Sequence, residues 1–462
     1  MNSPSTSSAQ NPKRAVPVLL FLFVFSLIID NGFKFTSKPI ADDLGIDVTT
    51  VSLQATLAGV LIGIGAVVYA TLADSIDIRK LLIAAIIMIC AGSLLGYAFQ
   101  RSFPMILTGR IVQTAGLAAA ETLYVIYVTK YLPDRDQKTY LGLSTSAFQV
   151  SLLFGTLASG FIATYIGWTN LFLVPLIVLL TLPSVVRTIP KHESASSHLD
   201  VLGLVLIGVF STGTLLYMQA FVWWWLLIGV VGLAGFVWHV FAHGNALISP
   251  AFFANRRYMA MLAVVLVIYS AQLGYGFMFP FLMSGIHGYE MSEISLLLVP
   301  AYVCAAVVGA ASGAIGRVLS SRAAITLALG LIALSLVIPA AFMTGAVWPL
   351  VASMVIFSAA YALMYAPLLN TALGDIPAKN SGIAVGFYNL VINIAVPLGI
   401  ALSAKLIDAQ PHLLDAFTSA PTQTAAAYAN IMFILAGISV LALVLYSVAI
   451  AILDRKRVSQ GS

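Results

Sequence analysis

Long apolar runs, each bounded by a short stretch rich in Pro, Gly and charge, succeed one another from end to end of the chain. A bilayer core of roughly 30 Å is crossed by about 20 apolar residues in a helix. Runs of that length begin near residues 15, 49, 80, 103, 139, 168, 200, 222, 258, 291, 323, 345, 380 and 426. The pattern predicts an all-α membrane protein with fourteen transmembrane helices. An even number of crossings puts both chain ends on one side.

The spacing also contains a repeat. LADSIDIRKLL (Leu72 to Leu82), between spans 2 and 3, has a counterpart in IGRVLSSRAAI (Ile315 to Ile325), between spans 10 and 11; each is a very short basic link after a Gly-rich helix. Six spans precede the pair at 200–243 and six follow it. Two pseudo-symmetric six-helix bundles, 15–190 and 258–453, joined through two additional helices at 200–243, are therefore expected. The longest links, RTIPKHESASSHLD and AHGNALISPAFFANRR, read as hinges on either side of that pair. The polar residues 1–14 and the tail 454–462 are expected outside the membrane, the first of them disordered.

Composition narrows the class. The chain of 462 residues is 60% hydrophobic and 8% charged, with a mean hydropathy of +1.01, which excludes a soluble globular domain. The net charge of +5 does not point to nucleic acid, because the basic residues fall in short loops on one side of the predicted membrane. Of the 22 lysines and arginines, only Lys34, Lys38, Arg101, Arg110 and Lys405 fall in spans or on the other side. The positive-inside rule thus predicts cytoplasmic termini in a cell membrane. No cleavage site follows the first apolar run, so it reads as an uncleaved span. Cys90 and Cys304 both lie in apolar runs, so neither a disulfide framework nor a thiolate metal cluster is expected.

Charges within spans carry the candidate chemistry. A charged side chain at mid-bilayer costs roughly 2.5–3.5 kcal/mol on insertion scales, and such residues face a bundle interior or a watery cavity. Asp30, Lys34, Arg110 and Glu121 stand out. Asp30 is roughly 21 Å up span 1, and Arg110 is roughly 9 Å down span 4 from the opposite surface, so the two lie at one height and can pair. Glu121 returns to within about 20° of the Arg110 face, roughly 16 Å nearer the cytoplasm. Asp30, Arg110 and Glu121 are the candidate proton-coupling residues, since acids at two depths on facing helices can pass protons in steps. Three plainer readings stay open. Lys34 can snorkel to the outer surface and neutralise Asp30 at i, i+4. The Asp30/Arg110 pair can be purely structural. Glu121 can sit near inner headgroups.

Other polar residues within spans are candidates for a solute site near the midplane: Lys34, Gln54, Gln113, Gln149, Gln272, Tyr361, Tyr365, Asn389 and Asn393. Helix-to-helix hydrogen bonding is the alternative for each. His239 and His243 have a metal-ligand spacing, but no third ligand is near, so neither a metal nor a cofactor is expected. Gly59/Gly63, Gly92/Gly96 and Gly309/Gly313 make small-xxx-small spacings suited to close helix packing.

Three stretches resemble signatures of the major facilitator superfamily, and more closely its fourteen-helix drug/proton antiporters, which include Gram-positive tetracycline exporters. The loop signature G-x-L-A-D-x-x-G-x-[RK]-[RK] falls on Ala70-Thr-Leu-Ala-Asp74-Ser-Ile-Asp77-Ile-Arg79-Lys80, with both glycines replaced. R-x-x-Q-G-x-G falls on Arg110-Ile-Val-Gln113-Thr114-Ala-Gly116, with one glycine changed. The antiporter signature G-x-x-x-G-P-x-x-G-G falls on Ser151-Leu-Leu-Phe-Gly155-Thr156-Leu-Ala-Ser159-Gly160, where three of its five marked residues differ. The resemblance implies that Asp74, Arg79 and Lys80 latch the two bundles and that Arg110 acts in proton coupling beside an acid on helix 1. It implies a monomeric secondary transporter that exports small amphipathic drugs against protons by alternating access. The departures in the antiporter signature, and the two cations Lys34 and Arg110, keep open an alternative: an exporter or importer of an endogenous anion or zwitterion. An enzyme is not expected, since only the two histidines resemble interfacial chemistry.

Overall fold

The computed structural model describes residues 12–189, 200–242, 255–376, 381–418 and 420–460, and these are helical almost throughout. In chain order the helices are α1 Val16–Phe35, α2 Ser37–Leu44, α3 Val48–Ser75, α4 Ile78–Ala98, α5 Phe103–Tyr131, α6 Asp134–Tyr165, α7 Leu182–Thr188, α8 Val201–Ala220 and α9 Trp223–Ala242. They continue with α10 Arg256–His287, α11 Met291–Ala310, α12 Ser312–Val318, α13 Ser321–Ala341, α14 Trp348–Leu373, α15 Ser381–Ala409 and α16 Gln423–Gln460. Thirteen segments are long and apolar enough to cross a membrane, and α6, apolar over Val150–Tyr165, completes the fourteen expected. The N-terminal segment up to residue 11, most of both hinge linkers, His243 and the side chains of Asp74 and Gln149 lie outside the described residues.

Polar side chains cap the starts of several helices. Asp47 accepts from the Thr50 amide at the start of α3, Asp77 from that of Arg79 at 3.0 Å on α4, and Asn255 from that of Tyr258 at 3.0 Å on α10. Each satisfies an amide that the helix itself leaves unpaired. Two features depart from the apolar pattern. The short α2 is an extra helix between the first two spans, stopped by Gly45 in the left-handed conformation at φ 61°. The sixth span is no continuous α-helix: Trp168–Phe172 and Val174–Thr181 are 3-10 turns that lead into α7. Pro175 and Pro183 lack the amide hydrogens an α-helix needs there, and hydropathy alone does not register that.

Contacts sort the helices into two groups of six. In the first, α4 packs on α5, α3 on α5, and α1 on both α5 and α6. In the second, α13 packs on α14, α11 on α14, and α10 on both α14 and α15. Matching the helices by order maps each of these pairs onto its partner, which is the expected pseudo-symmetry. The groups meet along α3/α15 and α6/α11, that is, the second helix of each against the fifth of the other. The extra pair sits to one side, with α8 against α3 and α15 and α9 against α8. Large apolar side chains of α9, among them Trp223, Trp224 and Trp238, are exposed, as a lipid-facing helix requires.

Two of the three glycine pairs are close-packing sites. A Cβ on Gly109 would come within 2.7 Å of the Gly92 carbonyl oxygen, so the α4 and α5 backbones touch at the level of Arg110. Gly59 and Gly63 lie against Pro397 and Asn393 of α15. Among the described residues nothing lies within 4 Å of a Cβ at Gly309 or Gly313, contrary to expectation. Small residues permit close approach, but the partner backbone has to be there.

Candidate functional site

The site is built where α1, α4 and α5 cross. Gly155 of α6 lets α1 come close, since a Cβ there would lie 2.7 Å from the Ile28 carbonyl, and Gly92 does the same for α5. These approaches bring Asp30 and Arg110 to one level, both buried, at 3% and 1% exposure. The Arg110 Nη2 donates to Asp30 Oδ1 at 3.3 Å. The Lys34 ammonium, one turn further along α1, donates to the other carboxylate oxygen, Oδ2. One aspartate thus holds two cations.

Arg110 is gripped on its other sides too. Its Nη1 donates to Gln113, one turn on, and Gln113 Nε2 donates to Ser93 Oγ of α4 at 2.7 Å. Ser93 passes its own proton to the Ile89 carbonyl at 2.7 Å, so a chain of hydrogen bonds runs from α1 through α5 into α4. Beneath the guanidinium lies Phe33, with its ring centre 4.2 Å from Cζ, a geometry in which the ring face attracts the cation. Arg110 Nε is buried without a partner. A charge-bearing group in a low-dielectric core is held by such a net of partners or it does not stay there.

Glu121 stands further along α5 toward the terminal side, half-buried, with Oε1 enclosed and unpartnered. Thr114 on the same face of α5 and Ser26 one turn before Asp30 on α1 also carry buried hydroxyls without partners. Other polar candidates lie in the second bundle. Tyr361 donates to the Ile268 carbonyl at 2.6 Å, Tyr365 reaches Asn389 Oδ1 at 3.5 Å, and Gln272 and Asn393 are half-buried. Gln54 bridges two helices. Its amide donates to the Phe33 carbonyl at 2.8 Å and to Ser37 at 2.9 Å, which ties α3 to the end of α1. In the first turn of α4, Arg79 is half-buried and Lys80 exposed, and Lys130 of α5 donates to the Ala73 carbonyl near the end of α3 at 3.2 Å. His239 pairs with Asp200 at 2.7 Å, at the base of the extra helices.

Sequence reasoning missed Phe33 and Ser93. Phe33 is three residues after Asp30 and so shares its helix face, a spacing that could have suggested it. Ser93 carries no such signal, because its role depends on how α4 crosses α5.

Comparison with known proteins agrees with this architecture. The Major Facilitator Superfamily matches over residues 19–400. The putative multidrug resistance protein MdtD of Serratia proteamaculans is 24% identical over 368 residues, 74% of each chain. The uncharacterized MFS-type transporter YcnB of Bacillus subtilis is 25% identical over 334 residues, 68% of this chain and 69% of that one. Among solved structures, the POT family transporter PepTSo superposes with a TM-score of 0.68 at 13% identity, covering 95% of this chain and 98% of that one. A multi-pass helical membrane chain of paired six-helix bundles, matched over most of its length, is a transporter of small molecules and not an enzyme: it belongs to the Major Facilitator Superfamily.

Proposed function

We propose that this chain is a proton-coupled exporter of small amphipathic compounds, of the multidrug or tetracycline-like kind, working by alternating access in a cell membrane with both termini in the cytoplasm. The observation that carries the reading is the shared Asp30 carboxylate, buried between Lys34 and Arg110 within the first bundle. Its two carboxylate oxygens are both engaged, so adding a proton releases at least one cation and changes the local charge by one unit. A ligand shifts a conformational equilibrium only through different affinities for its two states. Protonation of Asp30 supplies such a difference, because it removes a negative charge that both α1 and α5 lean on. Glu121, enclosed on the terminal side of the same helix, is the second acid in this scheme. Gln113, Gln272, Tyr361, Tyr365, Asn389 and Asn393 are the polar groups this scheme assigns to holding a solute.

The relatives described as multidrug resistance proteins support drug efflux, at 23–24% identity. A second reading, transport of an anionic or zwitterionic metabolite, is favoured by one feature: once Asp30 is neutral, Lys34 and Arg110 leave two cations at the site. Competition of cationic against anionic dyes separates the two readings. The proton role is tested with Asp30→Asn in inverted membrane vesicles. Gradient-driven uptake should vanish while counterflow exchange persists; intact gradient-driven uptake removes Asp30 from the role.

A further inference from the structure

At the side away from the chain termini the two bundles are joined by more than apolar packing. Asp408, near the end of α15, sends its carboxylate across to the start of α3. There Oδ1 accepts from the Val48 amide at 3.1 Å and Oδ2 from the Thr49 amide at 2.6 Å, and Oδ2 also accepts from the Thr49 hydroxyl. The next amide, Thr50, belongs to Asp47, the cap from its own loop. The first three amides of α3 are therefore satisfied by two carboxylates, one from each bundle. The other seam shows the same device. Thr164, near the end of α6, accepts with its hydroxyl from the Ser292 amide at the start of α11, at 2.9 Å. In both cases the fifth helix of one bundle caps the second helix of the other, so the two contacts are related by the pseudo-symmetry of the fold.

Close approaches between the same helices accompany the caps. Gly59 and Gly63 of α3 lie against Pro397 and Asn393 of α15, and a Cβ on Gly160 of α6 would come within 2.7 Å of the Met291 carbonyl of α11. On the terminal side Gly309, Gly313 and Gly316 of α11 and α12, and Gly386 of α15, have open space beside them.

We propose that Asp408 and Thr164 are paired gate residues: each closes the far side by capping a helix of the opposite bundle, and both caps must be given up for that side to open. A helix start that loses its cap exposes unpaired amides where the helix dipole is positive, so the open state is penalised each time the seam parts. Asp408 is the stronger of the two, since it is charged and serves two amides, while Thr164 is neutral and serves one. The proposal rests on the rocking of the two bundles and is independent of which group carries the proton.

The test places spin labels at Arg101 and Leu413, exposed far-side positions of the first and second bundles, in a Cys90→Ala/Cys304→Ala background. Removing a helix cap shifts an equilibrium by about 5- to 30-fold. Asp408→Ala should raise the long-distance, far-side-open fraction by about that factor, Thr164→Val should raise it less, and the two together should raise it most. Asp408→Asn, which keeps one acceptor, should lie between wild type and Asp408→Ala and covers the case in which the alanine variant does not fold. Distance distributions unchanged in folded Asp408→Asn and Thr164→Val overturn the proposal. Because wild-type Asp30 is kept throughout, that outcome leaves the proton reading standing, and a failed Asp30→Asn transport test leaves this one standing.

Discussion

Arg110 shows how much of this protein's chemistry depends on single side chains. Its guanidinium meets a carboxylate, an amide oxygen and an aromatic face at once, and lysine, with one compact ammonium, cannot reproduce that fork. Arg110→Lys should therefore lose proton-driven transport while still inserting in the membrane, which a vesicle transport assay read against protein abundance decides. Arg110→Ala leaves Asp30 with Lys34 alone; breaking a buried pair costs about 3–5 kcal/mol, so a lowered melting temperature is expected as well. Phe33→Leu removes the cation–π contact together with the ring contact to Phe172; the cation–π part alone is worth about 0.5–2 kcal/mol, and the loss is measurable as a smaller fall in melting temperature. The depth argument for Asp30 and Arg110 was available from the sequence because helix rise is constant and both spans have clear ends. That Lys34 shares the same carboxylate follows from its i, i+4 spacing, but snorkelling was equally compatible with that spacing. The difference depends on whether the ammonium turns inward, which no local pattern encodes.

At the scale of helices, apolar run length found all fourteen spans and misjudged where regular helix stops being possible. The sixth span is apolar enough to cross, yet Pro175 and Pro183 force it through 3-10 turns. Glycine spacing was a half-reliable guide. Gly92/Gly96 sits at a real backbone contact and Gly309/Gly313 does not, and only the position of the facing helix separates them. Substitution makes this measurable. Gly92→Val would drive a side chain into the α5 backbone at Gly109 and Gln113, so overpacking should destabilise by about 1–3 kcal/mol or more. Gly309→Ala meets open space and, by helix propensity, should be neutral or slightly stabilising, by up to about 1 kcal/mol. Thermal unfolding of the two purified variants side by side checks both; equal melting temperatures would contradict a close α4/α5 contact at Gly92.

For the whole molecule, the duplication legible in two short basic loops correctly pointed to paired six-helix bundles, because the repeat and the topology follow from the same hydrophobic period. What the sequence left hidden are contacts between the bundles, such as Asp408 with Thr49 across 359 positions of chain. Such pairs arise only once both halves are folded and docked, and neither residue belongs to a recognisable motif. The proposed proton site lies within one bundle, whereas the proposed gate contacts lie between bundles, so coupling would require that a charge change at Asp30 bias the way α1 and α5 sit within the first bundle. This is most directly measured as proton release on substrate binding. Purified protein in weakly buffered detergent solution, with a pH indicator, receives ethidium or the first compound it is found to export. Added at a pH low enough to have protonated Asp30, the compound should make wild-type protein release protons, and Asp30→Asn should release markedly fewer; release from Asp30→Asn equal to that of wild type would contradict the account.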